Sequence, residues 1–203
     1  MLADAQRAGF LGGGPATEHV AHSRAMAIAL GGAPSELVAD LGTGGGVPGL
    51  ALALLWPDAV IVLIESNRRR ARFLHEATAR LGVADRVTVL PIRAEDAGRL
   101  SRYRGRCDVV TARAFGAPAV TAECGAPLLR VGGLLLVAEP PESRVERWPT
   151  GDLGQLGLVP AGRAEGRASF QLLRQERECP DRYPRRVGVP AKRPLWLVPR
   201  ETC

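Results

Sequence analysis

The sequence is short of several residue types, and each shortage removes a class of chemistry. Cysteine occurs four times in 203 residues, as Cys107, Cys124, Cys179 and Cys203, with no C-x-x-C pair. That spacing excludes the usual zinc ribbons and dithiol redox motifs and predicts reduced thiols. Histidine occurs three times. His19 and His22 stand at i and i+3 and would share a helix face, but no carboxylate or cysteine supports them as ligands, so no metal is expected; His75 reads as a packing residue of an amphipathic helix. Aromatic residues make up 4% of the chain. No apolar run approaches the roughly 20 residues that span a bilayer, and Met1 to Val20 lacks the cationic start and apolar block of a secretory signal. A cytoplasmic protein with no membrane association is expected. Lysine is nearly absent, with Lys192 alone against 26 arginines; phosphate recognition and a biased coding composition explain this equally well.

What is present is ordinary for one globular core: 46% hydrophobic and 24% charged residues, at a length that suits a single α/β domain. The charge is uneven. Positions 1–160 carry 17 basic and 16 acidic residues, whereas 161–203 carry 10 and 5, which places most of the net charge of +6 at the C-terminal end. A polyanion-facing surface and a solvated basic tail both produce such an asymmetry. Residues 1–30 contain the run Gly12-Gly13-Gly14-Pro15 and then one expected helix capped near Thr17, read as an N-terminal helical appendage to a domain at 31–203.

From Leu37 onward, short apolar runs alternate with amphipathic ones. Strands are expected at Leu37–Leu41, Val60–Ile64, Val87–Leu90, Asp108–Thr111 and Leu134–Val137, with closing strands near Leu156–Val159 and Ser169–Arg174. Helices are expected at Leu50–Trp56, Arg69–Leu81 and Pro118–Leu129. This alternation predicts an α/β fold, a doubly wound and mostly parallel seven-stranded sheet with ligands outside the carboxyl ends of its strands.

The segment Asp40-Leu41-Gly42-Thr43-Gly44-Gly45-Gly46-Val47-Pro48-Gly49 leaves the first strand and opens the first helix of that pattern. Its glycines allow close approach of the backbone to a ligand. Glu65 ends the next strand, where its carboxylate can accept from both hydroxyls of a ribose. Counted from Gly42, the dinucleotide fingerprint G-x-G-x-x-G fails at its third position, Val47, although a start at Gly44 completes it; nicotinamide binding and a purely structural turn stay open as lesser readings. The loop instead reads D-x-G-x-G-x-G through Gly42, Gly44 and Gly46, the spacing typical of S-adenosylmethionine-dependent methyltransferases. Arg93-Ala94-Glu95-Asp96 follows the third strand, where it can meet the adenine. Arg113 follows the fourth, at the mouth of the crevice; a structural ion pair between Glu95 and Arg113 is the competing expectation.

The runs D-L-G-T-G-G-G-V-P-G, E-S-N-R-R-R-A-R-F-L, R-A-E and A-R-A-F together resemble the bacterial RsmG (GidB) family. The run Arg182-Tyr183-Pro184-Arg185-Arg186-Val187-Gly188-Val189-Pro190-Ala191-Lys192-Arg193-Pro194-Leu195 is similar to that family's closing signature, and His19-Val20-Ala21-His22-Ser23 to its H-x-x-D-S segment. The resemblance, over about residues 19 to 195, implies a class I S-adenosylmethionine-dependent enzyme that methylates N7 of a guanine in 16S ribosomal RNA. It implies cofactor contacts at Gly42, Val47, Ala94, Glu95 and Arg113, beside Glu65 at the ribose. It also implies RNA contacts at Arg68 and Arg69 and, in the tail, at Arg185, Arg186, Lys192 and Arg193, with the naked RNA or the small subunit as partner and the chain acting as a monomer. Guanine N7 carries its own lone pair, so no catalytic acid or base is expected; Arg113, Phe115 and Tyr183 are the candidates to hold the base. The sequence departs from the family in three places. It begins too late to hold the family's N-terminal asparagine-leucine-threonine motif, it has His22 for an aspartate, and it has Glu139-Pro140 for lysine-glycine, an acid unfavourable to RNA phosphate. Another RNA or a small molecule as acceptor, or a non-catalytic RNA-binding relative, therefore stay open as rivals.

Overall fold

Strand β2 (Val60–Ile64) consists of valine, isoleucine and leucine alone, and four of its five residues are buried. Such runs belong to parallel strands covered on both faces. The computed structural model describes residues 1–32, 36–140 and 147–198; Cys203, one of the expected thiols, lies outside them. In chain order the strands are β1 (Leu37–Leu41), β2, β3 (Val87–Leu90), β4 (Cys107–Ala112), β5 (Leu129–Glu139), β6 (Leu158–Ala164) and β7 (Ser169–Gln175). They form one sheet in the order β3-β2-β1-β4-β5-β7-β6. The first five are parallel, while β7 runs antiparallel between β5 and β6. The expected sheet is thus present, closed by an antiparallel hairpin.

Helices α1 (Leu2–Arg7), α2 (Ala16–Ala29), α3 (Gly49–Leu55), α4 (Arg68–Arg80), α5 (Ala94–Ala97), α6 (Pro118–Gly125), α7 (Thr150–Gly154) and α8 (Val189–Lys192) cover it. The buried side chains of α4, Ala71, Leu74, Ala77 and Thr78, recur at helical spacing and turn one stripe to the sheet. Its N-terminus is fixed by Asn67, whose side chain accepts from the N–H groups of Arg69 and Arg70 at 2.9 and 3.2 Å, as an N-cap does. One apolar cluster lies on the α5, α6 and α7 side of the sheet and a second on the α3 and α4 side.

The N-terminal segment corrects one expectation. The expected helix near Thr17 is α2, which starts after Pro15, but a second helix, α1, precedes the glycine run. Gly9 and the run from Gly12 to Gly14, with Gly9 and Gly14 at φ +68° and +97°, break the chain between the two helices. Met26 of α2 is fully buried against Leu136 and Phe170. Ala5 of α1 is fully buried as well. No helix among the described residues is long and apolar enough to cross a membrane.

Candidate active site

The chain order of the sheet reverses between β1 and β4, which leaves a crevice above their carboxyl ends. Register makes that crevice level. Leu41 pairs with Ile64 and with Ala112, and Ile64 pairs with Leu90. The residues that follow, Gly42, Glu65 and Arg113, therefore leave the sheet at one height. A hollow of about 270 Å³ opens here, with apolar walls from Ile64, Ile92, Phe115 and Val120 and polar groups from Glu65 and Glu95. Gly42 is required at its floor: its φ is +61°, and a Cβ would stand 2.6 Å from the Phe115 ring. An apolar slot beside a carboxylate fits an adenosine, whose base is flat and whose ribose offers two hydroxyl donors.

Two buried carboxylates shape the glycine loop. Glu65, 5% exposed, accepts from the N–H of Gly44 at 3.0 Å through Oε2 and from the N–H of Asn67 at 2.7 Å through Oε1. Each of its oxygens keeps a second lone pair. Asp40 is the acid two residues ahead of the first glycine of the loop. In the fold it is fully buried and accepts from the hydroxyls of Thr43 and Thr111 and from the N–H of Gly49. Burial pushes its carboxyl up to about 6, against the pull of these donors. Gly49 is needed for packing, since a Cβ there would lie 2.3 Å from Leu63 and 2.8 Å from Asp40 Oδ2. Counted from Gly44, moreover, the loop does satisfy G-x-G-x-x-G with Gly49 third, so spacing alone does not separate the two cofactor classes.

Of the residues expected at the cofactor, Gly42, Glu65, Ala94 and Glu95 line this hollow together. Gly44, Gly46 and Val47 are not part of its lining. Gly44 donates to Glu65, Gly46 donates to the carbonyl of Thr43, and Val47 is buried. Glu95 and Arg113 do not pair. Glu95 Oε1 accepts from the N–H of Gly188 at 2.9 Å, and Arg113 Nη2 contacts His19 Nδ1 at 2.9 Å. Arg113 instead lines a larger hollow of about 530 Å³ with Glu18, His19, His22 and Arg167. His22 lies edge-on to Phe170, and burial, with the Arg113 charge next, pushes it down to about 4. In sequence between Arg113 of the larger hollow and Phe115 of the smaller, Ala114 has φ +53°, alone among the described non-glycine residues in being positive, a backbone state that clusters at functional sites.

The expected RNA contacts divide. Arg68, Arg69, Arg186, Lys192 and Arg193 are exposed. Ser66, just before Arg68 and Arg69, and Ala191, just before Lys192 and Arg193, both line the 270 Å³ hollow, so cations border it on two sides. Arg185 is different: its guanidinium forks onto Glu123 at 2.8 and 2.6 Å. Tyr183 is 5% exposed and donates to Gln155, so its ring is core and is not offered to a base. Glu139 does not present an acid to solvent; its side chain is 2% exposed and pairs with Arg147 at 3.1 Å. Neither ion pair is legible in the sequence: Glu123 meets Arg185 across 62 residues, and Arg147 stands eight residues beyond Glu139, off any helical or strand repeat.

Comparison with known proteins gives the same fold and a family. TrmN from Thermus thermophilus shares the fold, with a TM-score of 0.58 at 18% identity over 75% of this chain and 48% of that one. Two relatives named ribosomal RNA small subunit methyltransferase G are closer in sequence. The protein of Rubrobacter xylanophilus is 42% identical over 78% of this chain and 64% of its own length, and that of Symbiobacterium thermophilum is 40% identical over 80% and 71%. The chain thus spans just under two thirds of the first relative. The family model for rRNA small subunit methyltransferase G (GidB) matches residues 16–146, and the chain belongs to that family.

Proposed function

We propose that this protein transfers a methyl group from S-adenosylmethionine to N7 of a guanine in 16S ribosomal RNA, in the cytoplasm. The observation that carries the reading is the juxtaposition, in a member of this family, of a buried carboxylate, an apolar slot and a glycine floor at the reversal point of the sheet. Glu65 takes the ribose hydroxyls, while Ile92, Val120 and Phe115 enclose the adenine. S-adenosylmethionine supplies an electrophilic methyl group on a sulfonium when bound. The nucleophile needs no activation, because N7 presents an in-plane lone pair on the exposed edge of guanine. The work left to the chain is alignment, holding N7 in line with the methyl group at about 3–3.5 Å. The acceptor base enters by the larger hollow, where Arg113 offers a guanidinium plane to an unstacked base. Arg68, Arg69, Arg186, Lys192 and Arg193 hold the phosphates around it. Burial of Glu139 against Arg147 removes the repulsion its position in the sequence suggested.

Two measurements test this. Calorimetry with S-adenosylmethionine should give a one-site isotherm; no heat at high micromolar ligand would reject the cofactor assignment. Radiolabelled methyl transfer onto small subunits lacking the modification should place label on guanine N7, and label on any other atom or RNA rejects the acceptor. Glu65→Ala should weaken cofactor binding by about 1.5–3 kcal/mol, roughly tenfold or more in Kd, as loss of a charged hydrogen-bond acceptor does.

A further inference from the structure

The C-terminal segment around residues 183–193 is fastened at several points. Arg104 donates to the carbonyls of Tyr183 and Cys179 at 2.8 and 2.9 Å, and Arg99 donates to that of Pro184. Glu123, on α6 and fully buried, accepts three hydrogen bonds from one residue: the backbone N–H of Arg185 at 2.9 Å, its Nε at 2.8 Å and its Nη2 at 2.6 Å. Three residues on, the N–H of Gly188 donates to Glu95 Oε1 at 2.9 Å. Immediately after the Glu123 anchor come Val187, Gly188 and Ala191, all of which line the 270 Å³ hollow with Glu65.

A carboxylate with no exposure is costly to bury, and an apolar pair would attach a segment to the core with less penalty. What a forked guanidinium adds is direction: two parallel bonds fix the plane and angle of the residue that bears it. At Arg185 that direction sets where the chain two to six residues further on meets the hollow.

We infer that Arg185, acting through Glu123, is a positioning residue that fixes the 187–191 wall of the cofactor hollow. The inference rests on the hollow being the S-adenosylmethionine site, and it removes Arg185 from the cations that grip RNA. Glu123 touches neither ligand; it acts only through Arg185.

The full chain is compared with Arg185→Lys, Glu123→Gln and the double variant Arg185→Gln/Glu123→Gln. Lysine keeps the charge and loses the fork; the double variant takes both charges out of the core and keeps the test open if a single variant unfolds. Three readouts are taken: calorimetry with S-adenosylmethionine, RNA binding across a salt series, and hydrogen exchange of residues 183–192 without ligand. Each variant is expected to raise the cofactor Kd on the order of tenfold, to raise KM for the cofactor more than it lowers kcat, and to speed exchange in 183–192 with the sheet still protected. The salt slope of RNA binding stays at the wild-type value even in the double variant. A double variant that keeps its cofactor Kd but loses about one unit of salt slope overturns the inference, because Arg185 then contacts phosphate. A Glu123→Gln chain with wild-type cofactor affinity and exchange overturns it as well. If the wild-type chain gives no heat with the cofactor, the reading of the hollow falls and takes this inference with it, a result distinct from equal binding by wild type and variants.

Discussion

Asp40 and His22 show how single groups near the crevice tie stability to pH in opposite senses. Asp40 titrates at about 6 instead of 3.8 because burial disfavours its charge. The folded chain holds that proton more tightly than the unfolded one, so the stability this group contributes is complete below 3.8 and is lost as pH rises through about 6. His22 titrates at about 4 instead of 6.5, again chiefly through burial. Its contribution is complete above 6.5 and is lost as pH falls through about 4. The windows nearly coincide and the effects oppose each other. Asp40→Asn removes one of them, so its urea midpoint should fall more steeply than that of the wild type between pH 6.5 and pH 4; an equal or shallower fall counts against the assignment. At the hollow's floor, Gly42→Ala places a side chain in a left-handed backbone and against the Phe115 ring. It should cost about 1–2 kcal/mol in thermal unfolding from the backbone alone, and it should weaken cofactor binding through displacement of the ring.

Elements are joined in this fold by ion pairs whose two halves are unequally buried. Glu123 is fully buried whereas the side chain of Arg185 is 26% exposed. Removing the arginine strands a carboxylate in the core, so Arg185→Ala should cost about 3–5 kcal/mol. Removing the acid leaves a guanidinium that can turn to water, so Glu123→Ala should cost clearly less. Urea denaturation of the two variants checks the order, and equal losses would mean that the carboxylate is not as enclosed as it stands. The family resemblance of the tail implied an RNA contact at Arg185; its partner is 62 residues away. Boundaries of elements were easier to read. Those of β2 fall where the apolar run Val60–Ile64 begins and ends, because a strand buried on both faces leaves a continuous apolar signal; β3, at the sheet edge, shows instead the alternation of Val87 and Val89 buried with Thr88 and Leu90 half-buried. The start of α2 was harder, since Pro15 ends the glycine run with no side-chain cap to mark it.

At the scale of the whole molecule, the surplus of positive charge near the C-terminus gains meaning from where the fold sets it. The short α8 brings Lys192 and Arg193 to one side of the hollow, and the start of α4 brings Arg68 and Arg69 to another. On a polyanion such cations act by releasing condensed counterions. Replacing Arg68, Arg69, Lys192 and Arg193 by alanine together should lower the slope of log K against log salt by about 0.7–0.9 for each cation lost, as measured by RNA binding between low and moderate salt. Cofactor calorimetry on the same variant separates this from damage to the hollow.

What the sequence determined by itself was everything that repeats locally: the alternation that fixes an α/β sheet, the run Asp40 to Gly49 that must turn tightly into a helix, and the acid that ends the second strand. These are properties of neighbours along the chain, and the backbone reads them directly. Only the tertiary structure decided which charges are cancelled and which aromatic rings are available. It joined Arg113 to His19 across 94 residues, neutralised Glu139 with Arg147, buried Tyr183, and gave Glu95 to Gly188. The physical reason is that a hydrogen bond or ion pair depends on distance in space, and partners that are not neighbours in a helical or strand repeat leave no periodic trace in sequence.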